Sequence, residues 1–428
     1  MLEHLKLHHL GPADQLDFAF GPRINVLTGD NGLGKTFVLD LAWWALTRTW
    51  ADGRVVHPAP DLKEAACVEY HVYGKGGSNT PVVCNYRREE LDWSLPRRRP
   101  PSPGFILYAR IDGGFSLWDP ERNYSHEKPA DPRNPADRPD SFQFAKRQLW
   151  EGLKDEAGRL ICRGLLEDWE TWRLKGNGAF VLMTEVLRGL SPGGREGLLR
   201  PGDPVRLPDS GAREIPTLVL PYGRVPIHQT SAGIRRILSL AYMIVWAWTE
   251  HKVAAGLRGR EQAKRIVLLW DEVEAHLHPQ WQRTILPSVV GVLQRLLKET
   301  DGTELQVLAT THAPLVLASL ETLFDPANDK LFNLELDKAG KVRLETVPWA
   351  IQGDVVDWLL SPAFDMRSGY SREAERALEA AQSWLAGRID QLSGDLKTRE
   401  QIDAELRRVL AAHDPFWPRW SVRMGGAQ

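Results

Sequence analysis

A chain of 428 residues, 43% hydrophobic and 26% charged, has the make-up of an ordinary globular protein. It is long enough for two or three domains, or for one large domain carrying an insertion. A formal net charge of −2 excludes a global pull toward nucleic acid or anionic lipid and leaves only a local basic face open. The three cysteines, Cys67, Cys84 and Cys162, show neither CxxC nor metal-ligand spacing, so a disulfide framework is excluded and a reducing compartment expected. The opening residues, MLEHLKLHHLG, contain no signal-peptide apolar segment, and no stretch reaches the roughly 18 apolar residues of a membrane span. The expectation is a cytoplasmic protein with no membrane partner.

Leu2 to Phe20 alternates apolar and polar residues around Gly11-Pro12, which predicts an antiparallel hairpin. Ile24 to Thr28 is a short buried strand. GDNGLGKT follows (Gly29 to Thr36), and then a segment of helical periodicity, FVLDLAWWALTRTW. Strand, G-x-x-x-x-G-K-T and helix together make a P-loop. Its glycines let backbone N–H groups turn toward phosphate oxygens, and the helix N-terminus adds partial positive charge. In such a loop Lys35 reaches the β- and γ-phosphates and Thr36 offers its hydroxyl to Mg²⁺.

Cys67 to Tyr73, Pro81 to Arg87 and Gly104 to Ile111 read as strands. Two proline-rich stretches, Pro96 to Pro103 and Asp119 to Asp140, read as loops, and the first carries the Arg97-Arg98-Arg99 run. Ser141 to Gly189 is expected to be largely helical. Arg200 to Pro226 is rich in proline and turn residues. Ser231-Ala232-Gly233 opens a long apolar helix, with a serine N-cap whose neighbouring N–H groups suit an anion. Ile266 to Trp270 is a continuous apolar run, as in parallel strands covered on both faces, and it stops at Asp271-Glu272. Adjacent carboxylates at such a strand end call for a cation or a substrate. Glu304 to Thr310 is another buried strand, ending in Thr311-His312-Ala313-Pro314. Leu331 to Val347 reads as a hairpin, Ser371 to Ala386 and Glu400 to Ala412 as amphipathic helices. In the tail, Trp417 and Trp420 beside prolines look exposed and suited to partner docking.

Taken in order, GDNGLGKT, TSAGIRR, LLWDEVEAHLHPQWQ and ATTHAPLVL resemble the P-loop, signature, Walker B with D-loop, and switch-histidine segments of ABC-type ATPases. The resemblance is to the SMC/RecF/OLD branch, and more narrowly to bacterial stand-alone ATPases of phage-defence systems such as Septu. It implies an α/β fold: a P-loop ABC-type ATPase head with a mixed sheet, an N-terminal antiparallel subsheet and an α+β insertion. The implied division is 1–54 and 226–350 as the two lobes of the head, 55–225 as the insertion and 351–428 as a helical extension.

The implied cofactors are ATP and Mg²⁺. Gly29, Asp30, Asn31, Gly32, Leu33, Gly34, Lys35, Thr36 and Phe37 would form the nucleotide-binding stretch, with Lys35 also catalytic. Thr36 and Asp271 would hold the metal. Glu272 would polarise the attacking water, in preference to Glu274, and His312 would contact the γ-phosphate. Ser231 and Gly233 would act on ATP held by a second subunit, and His276 to Pro279 would cross that interface. Two departures stand out. The metal-ligating glutamine has only Gln143 and Gln148 as candidates, and Ala232 and Ile234 stand where many relatives have glycine and Glu or Gln.

The function so implied is a dimerising or higher-oligomeric ATP-hydrolysing switch controlling a partner effector, a nuclease or toxin, in anti-phage defence. A DNA-repair ATPase of the RecF kind is the alternative, with nucleic acid as partner through Arg97 to Arg99, Arg235-Arg236 and Arg265. A nucleotide-dependent assembly scaffold is the third reading.

Overall fold

The computed structural model describes every residue except 61–63, 75–79, 96–101, 124–139, 177, 194–198, 209, 212, 298–301, 393 and 423–428. The Arg97 to Arg99 run therefore lies outside the described residues. In chain order, Leu2–His8 (β1) and Gln15–Ala19 (β2) pair antiparallel, as their alternation predicts. Ile24–Gly29 (β3) leads through the glycine loop into Lys35–Thr47 (α1). Cys67–Val72 (β4), Val82–Arg87 (β5) and Asp92–Trp93 (β6) extend the first hairpin into a five-stranded sheet of order β2-β1-β4-β5-β6.

Phe105–Ala109 (β7), Phe115–Trp118 (β8) and Phe142–Phe144 (β9) return to the sheet that contains β3. Lys146–Glu151 (α2), Leu153–Lys154 (β10), Leu160–Cys162 (β11), Leu165–Lys175 (α3) and Gly178–Leu190 (α4) follow. The stretch from Ser141 to Gly189 is thus helical only in part. Phe142 and Phe144 alternate inward and add a strand to the sheet edge. Arg200–Val205 (β12), Ile215–Leu220 (β13) and Gly223–Pro226 (β14) form a three-stranded antiparallel sheet where turns were expected. Pro201 and Pro204 are tolerated because β12 is an edge strand, where a missing N–H costs no ladder bond.

The remainder runs Ala232–Leu257 (α5), Arg265–Trp270 (β15), Pro279–Gln282 (α6), Ile285–Leu297 (α7), Glu304–Thr310 (β16), Pro314–Leu320 (α8), Lys330–Leu336 (β17), Val342–Val347 (β18) and Val355–Leu360 (α9). The main sheet has eight strands in the order β18-β17-β3-β16-β15-β7-β8-β9. From β17 to β7 neighbouring strands are parallel, and both flanks are antiparallel. The fold is α/β, with a mixed main sheet and a separate N-terminal antiparallel sheet, as expected.

The apolar runs of β3, β15 and β16 follow from this placement. Along β15, Ile266, Leu268 and Trp270 face one core and Val267 and Leu269 the other. The first core holds α4, α5, α7 and α8. The second holds α1, with Val38, Leu39, Leu41, Ala42, Trp43 and Trp44 buried all round its axis between the two sheets. Two polar residues stay buried because every group is matched. Gln306 on β16 donates to Leu2 O (2.7 Å) and Gly21 O (3.0 Å) and accepts from Leu2 N (2.8 Å). Asn25 closes a similar loop on Gly21.

The chain divides into two compact units. One comprises Met1–Trp358 with Pro362–Phe364, the other Leu359–Ser361 with Asp365–Gln428. The second is built on Arg372–Leu385 (α10), Arg399–Val409 (α11) and Trp417–Val422 (α12). Ser371 caps α10 and Thr398 with Gln401 makes a capping box on α11. The tail tryptophans are not the exposed anchors expected. Trp420 is 1% exposed and donates to Asp403 Oδ1 (2.9 Å), and Trp417 is half-buried and donates to Ala411 O (2.7 Å). The apolar faces of α10 and α11 provide the core that draws the tail in. Trp420→Ala should cost this unit about 3–5 kcal/mol. Hydrogen exchange in α10 and α11 should accelerate accordingly, and unchanged protection would contradict a buried anchor.

Candidate functional site

Three neighbouring parallel strands, β3, β16 and β15, end side by side. Their C-terminal ends carry the glycine loop, Thr311-His312 and Asp271-Glu272 respectively. A crevice outside such strand ends is where open α/β sheets bind ligands. At Gly29 the backbone has φ 126°, and a Cβ there would lie 2.3 Å from Leu334 O, so only glycine lets the chain leave β3 along this path. Lys35 begins α1 and turns back over the loop. Its Nζ donates to Gly29 O (2.7 Å) and Asp30 O (2.8 Å), and burial pushes its ammonium down. Asn31 and Gly32 are exposed on the rim, Leu33 is buried, and Phe37 packs in the second core.

Asp271 is 1% exposed. Thr36 Oγ1 donates to its Oδ2 (2.7 Å) and Thr310 Oγ1 to its Oδ1 (2.7 Å). Its backbone N–H bonds Ala109 O across to β7 (2.9 Å). Burial, with Glu272 adding, pushes the carboxyl upward despite both hydroxyls. Asp271 and Thr36 are hard oxygen donors meeting at one point, in surroundings that raise the cost of negative charge. That donor set fits Mg²⁺. No group of three or more His, Cys, Asp or Glu suited to a metal occurs among the described residues, so phosphate and water oxygens would have to complete the shell.

Glu272 adopts φ 46°, an uncommon conformation for a side-chain-bearing residue, and its N–H is held by Thr310 Oγ1 (2.8 Å). His312 Nε2 stands 3.8 Å from Glu272 Oε1, and both side chains are partly open to solvent. Glu274 is differently engaged. Its carboxylate accepts from Thr311 Oγ1 (2.7 Å) and from His312 N (2.5 Å), so it braces the histidine loop.

Ser231 caps α5 through Ile234 N (3.3 Å) and is exposed. A Cβ on Gly233 would lie 2.6 Å from His276 O, so the helix start rests on the turn after Glu272. The two segments share one surface, on which Ser231, His276 and His278 are exposed. His276, at φ 63°, turns the chain there.

Thr310 and Arg236 also belong to the site, though no motif marks them as such in the sequence. Thr310 read as the last residue of a strand. Arg236 read as part of a basic face, but it points inward, donating to Asp271 O (3.0 Å), Glu272 O (3.0 Å) and Ile111 O (3.3 Å). The spacing of TSAGIRR marks a helix start but not which side of the helix the second arginine takes. The glutamine candidates are used elsewhere. Gln143 bonds Asp52 N, Ser116 Oγ and Arg110, and Gln148 caps α2.

Residues 217–318, from β13 to α8, match the family described as "AAA domain, putative AbiEii toxin, Type IV TA system". The match includes Ser231, Asp271, Glu272 and His312 but not the glycine loop. The chain is also similar to "Retron Ec83 probable ATPase" of Escherichia coli, 28% identical over 100 residues. That alignment covers 23% of this chain and 15% of the retron protein. Among solved structures, the SMC head domain from Thermotoga maritima aligns with 81% of this chain and 99% of its own at 15% identity and a TM-score of 0.38. The recombination mediator protein RecF aligns with 81% and 98% at 12% identity and a TM-score of 0.39. The similarity in sequence is to ATPase domains.

Asp40 lies on α1 one turn past Thr36 and accepts from Tyr108 Oη (3.0 Å). Its carboxyl is pushed from 3.8 up to about 6, chiefly by burial and further by the charge of Asp271. The folded value lies above the unfolded one, so its contribution to stability is full below about pH 4 and lost as pH rises through about 6. Asp40→Asn should make the stability of the ligand-free protein fall less steeply with pH across this window while keeping the Tyr108 bond. Urea midpoints measured against pH check this, and equal slopes in both proteins would contradict it.

Proposed function

We propose that the chain is an ATP-hydrolysing switch that works as an ATP-sandwiched dimer. The observation that supports it best is the convergence on one sheet end of the glycine loop, the Thr36–Asp271–Thr310 link, Glu272 and His312. In this reading, residues 29 to 37 hold the triphosphate, with Lys35 leaving its two carbonyl partners for the β- and γ-phosphates. Thr36 and Asp271 hold Mg²⁺, which would neutralise charge on the phosphates. Glu272 takes the proton of the attacking water and His312 faces the γ-phosphate. Glu274 is unsuited to that role because both its oxygens already hold the 311–312 loop.

The second subunit is argued from the Ser231 surface. Ser231 and Gly233 rest on their own chain's His276 turn and present an exposed helix start, which suits ATP held by a partner copy. Residues 1–54 and 226–350 would act as the two lobes of the head, 55–225 as the insertion and 351–428 as the helical extension. Control of an effector is supported by the family match over residues 217–318, whose description names a putative toxin of a type IV toxin–antitoxin system, and by the 100-residue similarity to a retron ATPase. Of the basic face in the DNA-repair reading, Arg97 to Arg99 lie outside the described residues, and two other members are engaged within the chain. Arg236 is turned inward, and Arg265 pairs with Glu304 and lies over the Tyr73 ring.

Lys35→Ala should abolish ATP binding. Glu272→Gln should retain ATP and, with ATP and Mg²⁺, double its mass in light scattering, because hydrolysis no longer releases the interface. A mass that stays at one chain with ATP bound would overturn the dimer reading.

A further inference from the structure

Helices α3 and α4 and the β12–β14 sheet line a groove of about 910 Å³. Four arginines converge on it from four elements: Arg173 on α3, Arg188 on α4, Arg200 on β12 and Arg224 on β14. The chain as a whole is slightly acidic, so this concentration is local. Arg173 is braced by Glu170 Oε2 (3.0 Å), and Arg224 stands 3.6 Å from Asp203, a carboxylate 85% exposed on the rim. Arg188 and Arg200 have no carboxylate partner among the described residues and are exposed.

The strand register orders the floor. Arg200 lies opposite Val219, and Val219 opposite Arg224, so the three share one row across the sheet. Two interstrand steps put the arginine backbones roughly 10 Å apart. Between them Val219 is 44% exposed, unusual for a valine on a paired central strand. Gly202 has no room for a side chain, since a Cβ would meet Thr217 Oγ1 at 2.6 Å, and the Arg224 stem crosses beside it. Phe180 and Thr184 of α4 line the opposite wall.

We propose that this groove binds a single-stranded nucleic acid, with phosphates on the arginines and base faces on Val219 and Phe180. Guanidinium groups flanking apolar side chains match a strand whose charged backbone and flat apolar bases alternate likewise. An acidic peptide supplies the charge but not the flat faces. A duplex keeps its base faces stacked inside and would leave the apolar strip uncovered. The groove shares no lining residue with the nucleotide site and does not depend on the proposed hydrolysis.

The test is fluorescence anisotropy with labelled oligo-dT and oligo-rU, with duplex DNA and polyglutamate as competitors. Binding of either oligonucleotide supports the proposal, and the tighter one names the sugar. Affinity should fall steeply with salt. In Arg200→Glu/Arg224→Glu it should drop roughly tenfold or more, with the log–log salt slope shallower by about 0.7 for each lost contact. Asp203→Asn removes the rim carboxylate and should tighten binding roughly twofold. That gain cannot come from misfolding. Arg367→Glu, exposed in the other compact unit, should leave affinity unchanged. No binding by the wild-type chain at low salt, equal affinity in the double variant, or stronger competition by duplex or polyglutamate would overturn the proposal.

Discussion

Asp271 sits with 1% of its surface exposed at the end of a strand buried on both faces, and its two oxygens are held by two hydroxyls from different elements. Thr36 brings the start of α1 to it and Thr310 brings the end of β16. A carboxylate taken out of water is costly unless each oxygen is matched. Here the match fixes the spacing of the glycine loop, the acidic pair and the histidine loop. Two hydroxyls offset only part of the cost, since burial still pushes the carboxyl upward. The unmet remainder is what a bound cation would satisfy.

From that link the rest of the site is held by backbone. The Thr310 hydroxyl also takes the Glu272 N–H and so stabilises the left-handed turn at Glu272. Glu274 anchors the start of the 312 loop, and Arg236 ties α5 to the carbonyls of Asp271 and Glu272. A displacement of the Ser231 helix start would therefore act directly on the peptide that carries Glu272. The exposed surface at Ser231 and the buried carboxylate are joined by one guanidinium.

Much of this could be read from residue order. The parallel strands are legible because Ile266 to Trp270 of β15 is apolar without alternation, and β3 and β16 are mostly so, as double-sided burial demands. The glycine loop and the acidic pair are legible because their spacing is local. What was not legible depends on contacts far apart in sequence. Arg236 looks like any helix-surface arginine until the strand ends come beside it. The β12–β14 sheet was hidden by Pro201 and Pro204, which read as turns unless the strand is known to be an edge. Trp420 could be assigned to core or surface only once α10 and α11 were seen to share an apolar face. Glu272 and Glu274 were separated in sequence only by distance from Asp271. The structure adds a sharper distinction, in that Glu274 already spends both oxygens on the 311–312 loop.

The two glutamates thus differ in what their oxygens are free to do. Phosphate release from ATP, followed side by side in Glu272→Gln and Glu274→Gln with ATP binding measured in the same samples, separates a chemical role from a bracing one. Glu272→Gln is expected to bind ATP normally and lose turnover by roughly a hundredfold or more, whereas Glu274→Gln keeps a measurable rate with a loosened histidine loop. Wild-type turnover in Glu272→Gln would contradict the chemical role.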